Sequence, residues 1–284
     1  MTSPKALLSA WNLRPKKKLG QHFLVDPSTG DMIARRSRIT SEDTVVEIGA
    51  GLGALTIPLA GLAEHVYAIE KDSQLTQLLK TELLVHKRTN VTIIEKNILE
   101  VDLHLLAEKP DRPLIVVGNL PYNISSQVLI KLIKARSHVS RAILMFQKEL
   151  ARRIMASPGK KDYGRLTVML AYCAEIKSVA TVAASLFYPV PKIDSKVVEI
   201  KFDVKREHPT HDETMLFQVI KAAFGNRRKT LKNALSSSGL KIKPQTAQQA
   251  LEAAGIDPGR RAETLTVAEF VALQISLAQI LKLS

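Results

Sequence analysis

"VVEIGAGLGALT" (45–56) carries an apolar run into glycines at 49, 51 and 53, and then into a segment that reads as helical. A strand that ends in such a turn can bring its backbone close to a ligand, because no Cβ stands in the way. Glu70 lies 19 residues beyond Gly51 and ends the next apolar run, "HVYAIE" (65–70). Its carboxylate can accept hydrogen bonds from both hydroxyls of a ribose, the role such a residue has in nucleoside-binding α/β folds. "GAGLGA" also satisfies the relaxed dinucleotide pattern G-x-G-x-x-[GA]. The turn therefore predicts a nucleoside-bearing ligand and leaves NAD open.

Working outward, short apolar runs alternate with longer amphipathic ones. "TVVEI" (44–48), "HVYAIE" (65–70), "VTIIE" (91–95), "LIVVG" (114–118) and "RAILMF" (141–146) read as buried strands. Between them, "SQLTQLLKTELLVHK" (73–87) and "SSQVLIKLIKAR" (125–136) place apolar residues at helical spacing. Strands alternating with helices predict an α/β fold, a parallel sheet covered on both faces. "KVVEIKF" (196–202) is expected to close that sheet. Asp26-Pro27 reads as an N-cap and first helical residue, opening a helix to about Arg36.

The proline-containing "VKREHPTHD" (204–212) predicts a domain boundary, and helical segments at 213–224, 228–238, 245–254 and 266–281 follow it. Three regions are expected: a flexible basic tail at 1–18, a ligand-binding α/β domain at 19–204, and a small all-helical domain at 205–284.

Composition narrows the partners. Of the net charge of +14, residues 1–41 hold 8 Lys/Arg against 2 Asp/Glu, residues 42–204 hold 21 against 18, and residues 205–284 hold 12 against 7. Charge concentrated at both ends predicts a polyanionic partner, which nucleic acid supplies. No apolar run is long enough for a membrane span, and no secretory signal is expected among the first thirty residues. A single cysteine, Cys173, argues against a disulfide framework or a cysteine-based zinc cluster and fits a reducing cytoplasm. The histidines have no metal-ligand spacing, so no metal is expected.

"GNLPYNIS" (118–125) chooses between the ligands. The turn at 49–53 resembles the E-x-G-x-G-x-G turn of class I methyltransferases, with Glu47 at its head, and those enzymes bind S-adenosylmethionine. Ligands of such folds bind at the carboxyl ends of the strands, where Asn119, Leu120, Pro121 and Tyr122 fall. The lone pair of an amino group on a planar base is delocalised into the ring, so the nitrogen is a poor nucleophile. Two acceptors near its N–H bonds favour a pyramidal nitrogen with its lone pair aimed at a methyl donor. Asn119 offers a side-chain oxygen and Leu120 a backbone carbonyl, while Pro121 holds the turn. Tyr122 can stack on the base. Methylation at a pyrimidine ring carbon needs a cysteine nucleophile; Cys173 lies in the apolar "LTVMLAYCAE" and reads as packing.

With these motifs in order, the sequence resembles the KsgA-type (RsmA) small-subunit ribosomal RNA adenine N6,N6-dimethyltransferases over most of its length. "KKKLGQHFL" (16–24), "EIGAGLGALT", "AIEKD" (68–72), "GNLPYNIS", "FYPVPKIDSKV" (187–197) and "FGNRRKTLKN" (224–233) carry the resemblance. It implies a Rossmann-like class I methyltransferase sheet, S-adenosylmethionine as methyl donor, and two adjacent adenosines in the 3′-terminal hairpin loop of 16S rRNA as substrate. A pre-assembled small subunit as partner, a monomer and a cytoplasmic location are expected. Cofactor contacts would come from His22, Leu24, Gly49, Gly51, Glu70, Asn97 and Asn119. Asn119, Leu120, Pro121 and Tyr122 would form the target pocket, with Phe187 stacking on the opposite face of the adenine from Tyr122. Asn97 departs from the family's usual aspartate and can accept the cofactor's adenine amine only without charge. The erythromycin-resistance type, which acts on large-subunit RNA, is the nearest alternative, and a non-catalytic assembly factor is the alternative from another class.

Overall fold

The computed structural model describes residues 3–107, 112–202, 208–226 and 228–282. In chain order its strands are β1 (Phe23–Leu24), β2 (Thr44–Ile48), β3 (His65–Glu70), β4 (Val91–Glu95), β5 (Leu114–Asn119), β6 (Val139–Gln147), β7 (Glu175–Val182), β8 (Phe187–Tyr188) and β9 (Ser195–Lys201). Its helices are α1 (Pro4–Ala10), α2 (Pro27–Arg36), α3 (Thr56–Ala60), α4 (Ser73–Val85), α5 (Ser125–Lys134), α6 (Lys148–Ile154), α7 (Arg165–Cys173), α8 (Glu213–Ala223), α9 (Leu231–Ser236), α10 (Pro244–Ala253) and α11 (Val267–Lys282).

The large sheet has the order β4-β3-β2-β5-β6-β9-β7. The first five strands are parallel, and β9 runs antiparallel to both its neighbours. "KVVEIKF" therefore does not close the sheet. It inserts between β6 and β7, and β7 takes the edge. Val45, Val46, Val116 and Val117 are fully buried, because β2 and β5 are central and covered on both faces. On one face Val45, Ile115, Ile143 and Met145 pack with Ile33 and Ala34 of α2. On the other, Ala68 packs with Leu79 and Leu83 of α4.

The helices begin where capping chemistry places them. The Asp26 carboxylate accepts from Ser28 N–H at 3.1 Å and Pro27 follows at the first helical position, while Arg35 and Arg36 fall in the last turn of α2, where cations suit the helix dipole. Asp72 caps α4 in the same way. The strand order reverses between β2 and β5, so the ends of these two strands frame the crevice where ligands bind in such sheets.

The chain divides into two compact units, Met1–Ala151 with Glu175–Asp203, and Arg152–Ala174 with Val204–Ser284. The second takes α7 from the middle of the chain, a segment that the sequence reading placed in the α/β domain. The expected boundary at 204–205 lies outside the described residues, as does Arg227 of the basic motif. Within the second unit, Phe224 stacks on Phe270 with centroids 5.9 Å apart, and the Tyr163 hydroxyl donates to the Leu265 carbonyl at 2.9 Å.

The segment expected as an irregular tail contains α1. Ser3 Oγ accepts from Ala6 N–H at 3.3 Å, and Leu7 and Leu8 are buried against Phe23, Leu52, Leu75 and Leu78. A seven-residue helix is marginal alone. Here, burial of two leucines, about 1.5–3 kcal/mol each at most, holds it in place.

Candidate active site

The ends of β2, β3 and β5 and the segment before β1 surround a cavity of about 150 Å³. Its floor is the glycine turn. Gly51 adopts φ +54°, a conformation costly for residues with a Cβ, and its N–H donates to Glu70 Oε2 at 3.0 Å. The other Glu70 oxygen accepts from the N–H groups of Lys71 and Asp72, each at 2.9 Å. Burial raises the Glu70 carboxyl, and these three backbone bonds oppose that shift. The carboxylate is thus fixed at the cavity wall with lone pairs remaining for a ribose.

Glu47 lies deeper. It is 1% exposed, and its Oε2 has no hydrogen-bond partner among the described residues. Burial pushes its carboxyl up to about 8; the Thr56 hydroxyl works against the shift and the nearby Glu70 adds to it. In the sequence Glu47 counted only as the head of the turn motif. It lies near the end of β2, where the strand meets the cavity, and lines that cavity together with Ile48. Asn97, at the opposite wall, accepts from Leu99 N–H through Oδ1 at 3.2 Å. That bond fixes the amide and leaves its NH₂ group uncommitted.

At the end of β5, Asn119 Nδ2 donates to the His22 carbonyl at 3.0 Å. The Asn119 side-chain oxygen is left as an acceptor. Leu120 is 1% exposed and its N–H donates to the Met145 carbonyl at 3.3 Å. Its own carbonyl has no partner among the described residues. The Pro121 carbonyl accepts from Ile124 N–H at 3.2 Å and from Ser125 Oγ at 2.9 Å, which ties the turn to the start of α5. Two free acceptors therefore stand beside the cavity on a fixed backbone. Tyr122 is partly exposed, with its ring 5.4 Å from that of His22 and tilted 31°. Burial raises its phenol, and the Ser195 hydroxyl alongside opposes that.

The N-terminal motif covers this end of the cavity. Gly20, at φ +64°, lies against the Pro121-Tyr122 turn, where an added Cβ would sit 3.5 Å from Pro121 Cβ. β1 pairs antiparallel with β8, in the register Phe23↔Tyr188 and Leu24↔Phe187. His22 donates from Nδ1 to the Pro189 carbonyl at 2.7 Å. Sequence reasoning missed this pairing, which joins segments more than 160 residues apart and is only two residues long.

The pairing also corrects one expectation. Phe187 was expected in an exposed proline-rich loop, stacked across an adenine from Tyr122. It is 1% exposed and packs with Leu24, Val182 and Val197 in the core. The expected exposure is therefore not found, and the ring is part of the core cluster. His22, Leu24, Gly49, Gly51, Glu70, Asn97, Asn119 and Pro121 do line one cavity; Leu120 and Tyr122 flank it. The cavity fits a nucleoside carrying a cationic group. It offers backbone without Cβ at the turn, a held carboxylate at Glu70, and an unpartnered buried oxygen at Glu47.

Comparison with known proteins identifies the family. The sequence model of the ribosomal RNA adenine dimethylase family matches residues 12–279. The chain is 48% identical over 277 residues to ribosomal RNA small subunit methyltransferase A of Desulforapulum autotrophicum, covering 98% of this chain and 97% of the relative. It is 41% identical to the same-named protein of Geobacillus thermodenitrificans, covering 96% and 94%. Among solved structures, a dimethyladenosine transferase from Plasmodium falciparum superposes with a TM-score of 0.75 at 26% identity, over 90% of this chain and 98% of that one. The 23S rRNA methyltransferase ErmE superposes at 0.65 and 27%, over 90% and 100%.

Proposed function

The chain belongs to the ribosomal RNA adenine dimethylase family, and on that premise we propose that it dimethylates N6 of two adjacent adenosines in the 3′-terminal hairpin loop of 16S rRNA, using S-adenosylmethionine. The reaction contributes to small-subunit biogenesis in the cytoplasm, and a single copy of the chain carries out the transfer on an assembling subunit. The observation that carries this reading is the pair of free acceptors, Asn119 Oδ1 and the Leu120 carbonyl, on a tied turn beside the glycine-floored cavity.

S-adenosylmethionine, when bound, supplies an activated sulfonium methyl. Gly49 and Gly51 would leave room for it, Glu70 would accept from its ribose hydroxyls, and Asn97 would meet its base. Glu47 would face its cationic end, and His22 and Leu24 would close the cavity from the N-terminal side. Asn119 and Leu120 accept the N–H bonds of the target amine and so orient the nitrogen lone pair. Tyr122 holds the plane of the base by stacking. No strong base is needed, because the proton leaves to water after transfer. The rate enhancement comes from positioning and from fixed dipoles. Extruding a base from a hairpin loop costs less than opening a duplex.

The test is incubation with labelled S-adenosylmethionine and either undermethylated small subunits or large-subunit RNA, followed by nucleoside analysis. Dimethyladenosine in the small-subunit sample alone is the expected result. Label in large-subunit RNA alone assigns the chain to the erythromycin-resistance type, and label in neither refutes the activity.

A further inference from the structure

A second concavity, of about 160 Å³, lies at the far end of the strands from Asn119. Its lining is Arg38, Arg141, Glu175, Lys177, Glu199 and Lys201, four cations against two carboxylates. Its origin lies in the register of the sheet. On the face that α2 covers, Met145 of β6 stands beside Val197 of β9. Two residues back, Ile143 stands beside Glu199, which pairs with Lys177 of β7. Two more back, Arg141 stands beside Lys201, which pairs with Glu175. The face turns from apolar to charged where α2 stops covering it. There Arg36 reaches the Val179 carbonyl at 2.8 Å, and Arg38, at φ +50°, turns the chain.

Each carboxylate already has a cation. Arg38 lies 3.4 Å from Glu199, and Lys177 lies 2.9 Å from Glu175. Arg141 and Lys201 then face each other across β6 and β9, a pairing that like charges disfavour. Among the described residues neither has a carboxylate within ion-pair distance. Arg141 spends Nη2 on the Arg38 carbonyl at 2.8 Å, and its Nε is buried without an acceptor. Charged side chains also guard sheet edges against pairing with another chain. That accounts for Glu175 and Lys177 on the edge strand β7. It does not account for Arg141, two strands inside.

We propose that this concavity is a phosphodiester site that holds a backbone phosphate of the substrate RNA, away from the methyl-transfer end. The proposal rests on the rRNA reading above. Arg141 is four residues along β6 from the residue paired with Asn119, about 13 Å. One folded RNA can reach both places. Contacts of this kind anchor the strand without reading its sequence.

The experiment is equilibrium binding of unmethylated 16S rRNA transcript to the full chain over a series of KCl concentrations. The wild type is compared with the double variant Arg38→Asn/Lys201→Gln. Both side chains are exposed, and asparagine tolerates the left-handed backbone at position 38. The expected result is binding about 10-fold weaker near ~0.1 M salt, with a log–log salt slope shallower by about 1–2. S-adenosylhomocysteine affinity is expected to be unchanged. Lys201→Gln alone, with about half the change in slope, decides the matter where the double variant melts early. Unchanged affinity and slope would overturn the proposal. Inorganic phosphate binding is measured on the same variants, and its loss with an unaltered RNA slope would overturn the proposal too, by assigning the concavity to a free anion. Failure of the rRNA reading looks different: wild-type chain transfers no methyl group to RNA at any salt concentration.

Discussion

The Lys16 ammonium lies 2.8 Å from one carboxylate oxygen of Asp72, and the other oxygen accepts from the Gln21 amide at 3.0 Å. Asp72 N–H in turn donates to Glu70 at 2.9 Å. The segment that carries His22 and Leu24 is thus tied, through one buried carboxylate, to Glu70 at the cavity wall. Burial works to raise the Asp72 carboxyl, and the bonds from Lys16 and Gln21 outweigh it, leaving it below the ordinary carboxylate value.

Asp72→Asn tests this tie without removing the helix cap, since asparagine caps as well as aspartate. Lys16 is 44% exposed, so screening limits the pair to about 1 kcal/mol. The expected outcome is S-adenosylhomocysteine affinity lower by about 5-fold, read by calorimetry, with kcat at saturating cofactor nearly unchanged. Loss of kcat with full cofactor affinity would place Asp72 in the chemistry instead.

Glu47 makes stability and binding depend on pH. Its folded-state pKa is about 8 against an ordinary 4.5. Its contribution is fully present below pH 4.5 and is lost as the pH rises through 8, because the unfolded chain gives up the proton more easily. Glu47→Gln removes the titration, so the expected melting temperature falls less between pH 6 and 9 than in the wild type. A cationic ligand beside Glu47 favours the carboxylate. Binding of S-adenosylmethionine near pH 7 is therefore expected to release a proton, seen as a binding enthalpy that varies with the buffer's ionisation enthalpy. An enthalpy independent of buffer contradicts this.

Phe187→Leu separates a core role from a stacking role. Leucine fills most of the volume but has no ring to stack. The core position predicts a cost of about 1–1.5 kcal/mol and a melting temperature lower by a few degrees, with kcat/KM close to wild type at 25 °C. An unchanged melting temperature with methyl transfer lost would return the ring to the substrate.

Much of this was legible locally. The strands at 44–48, 65–70 and 91–95 follow from continuous apolar runs, and α2 from Asp26-Pro27, because these signals lie within each segment. Glu70 and Asn119 were legible too, since a strand end plus a parallel sheet fixes which way they point. What escaped depends on distant partners. The place of β9 between β6 and β7 is set by pairing with strands whose own sequences do not specify it. Leu7 and Leu8 read as tail because their partners, Leu52, Leu75 and Leu78, come later in the chain. Phe187 read as exposed among prolines, but packing with Leu24, Val182 and Val197, distant in sequence or not readable as its neighbours, buries it. The unpartnered oxygen of Glu47 likewise belongs to the assembled cavity.

The central claim is that Asn119 and Tyr122 orient a flat amino-bearing base for methyl transfer, and one paired measurement tests it. For Asn119→Ala and Tyr122→Ala, transcript affinity and single-turnover methyl transfer to undermethylated small subunits are measured on the same preparations. The predicted result is RNA affinity near wild type, with transfer reduced about 100-fold or more for Asn119→Ala and about 10–100-fold for Tyr122→Ala. Wild-type transfer rates in both variants would contradict the proposed pocket.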